Sequence, residues 1–84
     1  MTEYMAQMKK NGKWLAAHAP NNGGAYIKPD RKKVEDMLEW IMYRWEEYGA
    51  QNKRLGLYDP KYYPTEFRIV SREVTEWTEV RYDI

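Results

Sequence analysis

The stretch Asp30 to Tyr48, DRKKVEDMLEWIMYRWEEY, constrains the chain more than any other, because it alone is long and periodic enough to specify a helix. At ~100° per residue, Val34, Met37, Leu38, Ile41, Trp45 and Tyr48 fall on one face, with Met42 at its margin. That face predicts a core seam. Asp30 follows Pro29 and is placed to cap the first turn, while Gly49 offers a residue that can end a helix with positive φ. The opposite face is unusual: Trp40 and Tyr43 sit there among Asp36, Glu39 and Glu47. Either the chain after the helix covers them, or Trp40 stacks on Arg44, or they form a partner contact of the kind Trp and Tyr often anchor.

Before the helix, TEYMAQMK and WLAAHA flank Lys10-Asn11-Gly12-Lys13. Asn-Gly between two short apolar runs is a strong hairpin signal, since a type I′ turn needs φ > 0 at both central positions. A hairpin over residues 2–19 closed there pairs Lys9 with Trp14, Met8 with Leu15, Ala6 with Ala17 and Tyr4 with Ala19. Tyr4, Ala6, Met8, Leu15 and Ala17 then share the side that meets the helix; Met5, Gln7, Lys9, Trp14, Ala16 and His18 share the other. Residues 19–29, APNNGGAYIKP, are a loop by composition with a short extended piece at Ala25 to Lys28.

A structureless connection over 49–64 would be unusually long, so the helix is expected to continue past Gly49, or to restart, as far as about Leu55 and Gly56. Tyr58, Tyr62 and Tyr63 then pack over an edge of the fold. Residues 66–82 are rich in β-branched and aromatic types and read as strand, but the alternation changes phase between Phe67/Ile69 and Val70/Val74. Burial on both sides, a bulge, or a turn near Ser71 to Glu73 would each explain that.

The order of elements gives an α+β domain, β-β-α-β: a three- to four-stranded antiparallel sheet with one long helix packed on one face, strand order 2-1-3. Eighty-four residues make one domain. In this layout Glu46 and Glu47 return toward the hairpin tip and its Lys9, Lys10 and Lys13.

Composition narrows the chemistry. With no Cys there is neither a disulfide framework nor a thiolate metal site, and a reducing cytoplasm is the default compartment. No apolar run approaches the ~20 residues of a membrane-spanning helix. Net charge is +1, too balanced for an acidic DNA mimic or a nucleic-acid coat protein. One His and one Ser, His18 and Ser71, leave no realistic triad, and Ser71 has no nucleophile-elbow glycines around it. The carboxylate pairs Glu35/Glu39 and Glu76/Glu79 lack the His or Asp a metal site would add, so no catalytic residue, metal or cofactor is expected.

The C-terminal RIVSREVTEWTEV resembles the closing segment of short bacteriophage-encoded accessory proteins, in which such a strand follows an N-terminal hairpin and one helix. The resemblance spans about Arg68 to Val80. It implies a cytoplasmic protein that binds and inhibits a host macromolecule, as inhibitors of CRISPR and other defence systems do. The expectation is therefore a non-enzymatic binding protein, with Trp40, Tyr43, Glu39 and Glu47 on the outer helix face, or Trp14, His18 and Lys9 on the outer sheet face, as partner contacts. One of these faces could instead serve a homodimer. The alternatives are a nucleic-acid binder using Trp14, Lys9 and His18, and a nucleotide-sequestering anti-defence protein.

Overall fold

The computed structural model describes residues 1–21 and 23–73. They form β1 (Thr2–Lys10), β2 (Lys13–Ala16), the two-residue β3 (Ile27–Lys28), the helix α1 (Arg31–Arg54), a single 3₁₀ turn (Pro60–Tyr62) and β4 (Glu66–Glu73). This is the α+β architecture of one long helix and an open antiparallel sheet. The predicted strand region beyond residue 73 lies outside the described residues.

β1 is the organising strand. Asn11 and Gly12 have φ of 52° and 78°, as a type I′ turn requires, and they set the register Lys10↔Lys13, Lys9↔Trp14, Met8↔Leu15 and Gln7↔Ala16. The Ala17 N–H donates to the Ala6 carbonyl at 2.9 Å, so the predicted Ala6/Ala17 pairing holds. Beyond that point the hairpin opens, and Tyr4 faces Lys28 of β3 instead of Ala19. β4 pairs with β1 from Thr2↔Glu73 to Lys9↔Glu66 without interruption. Because β4 takes that whole edge, β2 and β3 must share the other.

The unbroken register settles the phase change over residues 66–73: neither a turn nor a bulge occurs there. Phe67 and Ile69 lie opposite Met8 and Ala6 on the helix side, while Val70 lies opposite Met5 on the outer side, so the strand is partly buried on both faces. Ala6, Met8, Ala17, Val34, Ile41, Trp45 and Tyr63 form the core, with Tyr4, Leu15, Met37, Leu38, Tyr48, Phe67 and Ile69 packed against it. The helix seam read from periodicity is the buried one.

α1 begins where Asp30 accepts the Lys32 N–H at 2.9 Å. As the length of the 49–64 connection implies, it runs past Gly49, which is buried inside the helix, to Arg54. The end comes at Gly56, with φ +71°, whose N–H bonds the Lys53 carbonyl while the Leu57 N–H bonds that of Asn52 at 2.8 Å. These are the two bonds of a Schellman cap, which satisfies carbonyls the last turn would otherwise leave open. Gly49 has a packing role: the Tyr63 and Tyr58 rings lie over it, and Trp45, Tyr48, Tyr58 and Tyr63 make a chain of ring contacts with centroids 4.6 to 6.1 Å apart. Tyr63 also accepts a hydrogen bond from the Asn52 side chain. This cluster binds the segment after the helix to its C-terminal half.

Candidate functional site: the outer face of the long helix

The three described tryptophans share a residue type but not an environment. Trp45 is in the core, its indole N–H donating to the His18 carbonyl at 2.6 Å and its ring meeting Tyr48 and Tyr63 edge-on. Trp14 lies on the outer sheet face under the Arg68 guanidinium, 3.9 Å from the ring centroid, with the Lys9 ammonium at 5.9 Å. Arg68 is held there by the Gln7 side chain at 2.7 Å. Trp40 is 47% exposed and, among the described residues, has no ring, cation or hydrogen-bond partner.

Sequence order explains this division. The segment after the helix was one candidate cover for Trp40 and Tyr43, but the aromatic cluster draws it to the flank of α1 that faces β4. There a groove of about 500 Å³ is lined by Met42, Lys53, Tyr58, Tyr63 and Phe67 among others. Arg44 does not stack on Trp40 either; its guanidinium donates to Glu47 at 3.1 Å. Trp40 and Tyr43, three residues apart and 47% and 59% exposed, therefore stay side by side on the outer face.

Trp40 sits on the flank of α1 that faces β3. It lines a second shallow groove of about 500 Å³ with Tyr26, Lys28, Lys33, Asp36 and Met37. The floor is aromatic and apolar; the rim is mainly cationic, because Asp36 is engaged by Lys32 at 2.9 Å. That bond raises the Lys32 pKa above its ordinary value. Glu47 accepts the Tyr43 hydroxyl and so raises the Tyr43 pKa above its ordinary value. Glu39 is exposed nearby.

The other expected contacts are dispersed. His18 is not on the outer sheet face, because β2 ends at Ala16 and the alternation stops with it. Its ring packs 6.0 Å from Trp45, and its Nδ1 lies 2.9 Å from the Ala19 carbonyl. Lys9 stays on the outer face but pairs with Glu66 at 3.3 Å. The expected meeting of Glu46 and Glu47 with the hairpin lysines does not occur: Glu47 goes to Arg44, and Lys10 lies over the Trp45 ring at 5.5 Å. Tyr26 and Lys28, which line the groove of Trp40, were legible only as a short extended piece. Nothing local in AYIKP says that it runs beside α1.

Among the described residues there is no buried charged side chain, no cluster of three or more His, Asp or Glu placed to hold a metal, and no helix long and apolar enough to cross a membrane. No protein-family model, no curated protein and no solved structure matches the chain.

Proposed function

We propose that the chain is a non-enzymatic binding protein whose contact surface is the outer face of α1, centred on Trp40 and Tyr43. The observation that carries the proposal is the uncovered Trp40 ring above its groove, in a molecule that provides Trp14 and Trp45 with cation, ring or hydrogen-bond partners. Trp and Tyr dominate the energetics of protein interfaces, since each offers a large rigid surface with a polar tip. Lys28 and Lys33 beside the groove favour a partner with an apolar anchor and carboxylates around it. The likeness of RIVSREVTEWTEV to phage accessory proteins favours a host defence or regulatory protein in that role.

The nucleic-acid reading is the weaker of the two. Arg68 already occupies a face of the Trp14 ring, and Glu3 and Glu66 neutralise Arg72 and Lys9 across the same sheet face. A base would have to displace a guanidinium to stack there.

The deciding experiment is affinity capture from nuclease-treated bacterial lysate with the wild-type chain and with Trp40→Ala. A stoichiometric protein companion, captured by the wild type and lost with Trp40→Ala at unchanged thermal stability, is the expected result. A companion retained by Trp40→Ala would refute the helix-face site. Recovery of nucleic acid alone from a parallel lysate left without nuclease would refute the class.

A further inference from the structure

We infer that the edge of β4 that no described strand covers pairs with the same edge of a second copy of this chain, antiparallel, about a twofold axis passing through Ile69. The polarity of β1 identifies which groups are available. A two-residue turn closes on a hydrogen-bonded pair, here Lys10↔Lys13, and the Ala17 N–H bonds the Ala6 carbonyl. Ala6, Met8 and Lys10 thus direct their backbone N–H and C=O toward β2, and Glu3, Met5, Gln7 and Lys9 direct theirs toward β4. The β4 residues opposite these four are Arg72, Val70, Arg68 and Glu66. Phe67, Ile69 and Ser71 lie between them and point their N–H and C=O groups away from β1. Among the described residues β1 is the only strand paired with β4.

Edge strands are usually blunted by proline, a bulge or a charge on the buried side. β4 has none of these from Glu66 to Ser71: its register is unbroken, and its helix-side positions there are Phe67, Ile69 and Ser71. The register of self-pairing follows from charge. A twofold axis perpendicular to the sheet keeps helix-side residues opposite helix-side residues, which restricts the centre to a single residue of the strand. Centred on Arg68, that arginine faces its own copy; centred on Val70, Arg68 faces Arg72 twice. Centred on Ile69, Glu66 faces the second copy's Arg72 twice, Arg68 faces Val70, and Phe67 faces Ser71.

Of these three registers, which place the axis nearest the middle of β4, only this one avoids like charges, and it forms about six backbone hydrogen bonds, two for each facing pair among Phe67, Ile69 and Ser71. It also continues an existing row. Lys9 pairs with Glu66 at 3.3 Å and Arg72 with Glu3 at 2.9 Å within one chain. Across the axis the sequence of charges becomes Lys9, Glu66, the second copy's Arg72 and the second copy's Glu3, alternating in sign over four strands. Cross-strand pairs of opposite charge stabilise a sheet, and like charges directly opposite destabilise it.

The test uses the full chain in light scattering coupled to size exclusion, over a concentration series. The wild type is expected to reach twice its 10.2 kDa monomer mass. Arg72→Glu alone places glutamates opposite Glu66 twice, and Glu66→Lys alone places lysines opposite Arg72 twice, so each should self-associate at least tenfold more weakly. Mixed, the two variants are complementary at both positions and should recover the dimer as a one-to-one heterodimer. Ser71→Pro removes an outward N–H without touching the β1 ladder, and should give a folded monomer by circular dichroism. A wild type that stays monomeric at millimolar concentration, a dimer that survives Ser71→Pro, or charge variants that do not recover on mixing would each overturn the inference.

Discussion

Replacing Gly49 with alanine should stabilise the protein, although the position is buried beneath two tyrosine rings. A glycine in a helix interior is ~1 kcal/mol less favourable than alanine, because its backbone loses more freedom on folding. Whether that gain can be collected depends on what the new methyl would meet. A Cβ at residue 49 would lie 3.6 Å from Tyr63 Cε1, and 3.8 Å from both Tyr63 Cδ1 and Tyr58 Cε2. These are ordinary van der Waals separations, so no ring has to move. Covering one methyl group adds at most ~0.8 kcal/mol.

The expected gain for Gly49→Ala is therefore about 1 to 2 kcal/mol. In a domain of this size each 1 kcal/mol shifts Tm by roughly 4–8 °C, so a rise of at least ~4 °C is predicted. Reversible thermal melts by far-UV circular dichroism measure it, and urea titration should show a higher midpoint at unchanged slope. Gly56→Ala is the control of opposite sign. At φ +71° nothing crowds that position, yet the left-handed backbone costs an L-residue ~1 kcal/mol, so the same substitution should lower Tm. If Gly49→Ala lowers Tm, the rings sit closer than 3.6 Å over the helix and the packing argument fails.

Asp30→Ala should cost about 1 kcal/mol, read as a lower urea midpoint, by removing the carboxylate that accepts the Lys32 N–H. Tyr63→Phe should cost roughly 0.5–1.5 kcal/mol, because it leaves the Asn52 amide without its acceptor in the aromatic cluster; thermal melts of Tyr63→Phe and Asn52→Ala, singly and together, would reveal the coupling. Tyr43 should ionise above the pH at which free tyrosine does, since its folded pKa is raised. The bond to Glu47 is then complete below the unfolded pKa and is lost as pH rises through the folded one, and Glu47→Gln should move the ionisation down. An ultraviolet difference titration against Tyr43→Phe isolates that phenol from the other tyrosines.

Legibility followed the range of the interaction. The type I′ turn, the Asp30 cap and the buried seam of α1 each depend on residues within one or two turns of chain, and each was readable. Gly49 could have ended the helix, but the length of the 49–64 connection pointed past it to about Leu55 and Gly56, where α1 does end; what stayed illegible was its packing role, because the Tyr63 ring that covers it comes fourteen residues later. His18 was misplaced for a related reason: alternation places it on the outer face only if β2 persists, and the chain leaves the sheet after Ala16 to supply the carbonyl that Trp45 needs. The ion pairs of Lys9 and Glu47 went to other partners because Glu66 and Arg44 are nearer than the groups that a simple antiparallel layout suggested. For the candidate site, helical phase alone placed Trp40 and Tyr43 on the outer face, but that the later chain leaves them uncovered was not legible, because it depends on where the distant Tyr58 and Tyr63 pack. Nor was the groove beneath Trp40, since β3 has only two residues.

The two proposed surfaces occupy opposite flanks of the same helix, and this makes them compatible. Trp40 faces the β3 side with Tyr26 and Lys28, whereas Met42 faces the β4 side with Phe67. A twofold axis through Ile69 brings the β4 flanks of two copies toward each other and leaves both Trp40 grooves at the far ends of the assembly, on the same side of a continuous sheet. A dimer of that form presents two equivalent sites to a partner, so a repeated or symmetric target would be held by both at once, with an avidity neither site has alone. Ser71→Pro should then weaken capture of such a target while leaving the affinity of each single site unchanged. Trp40→Ala should abolish both without altering the dimer. Loss of dimerisation in Trp40→Ala would show that the two surfaces are one, and would remove the basis for treating them separately.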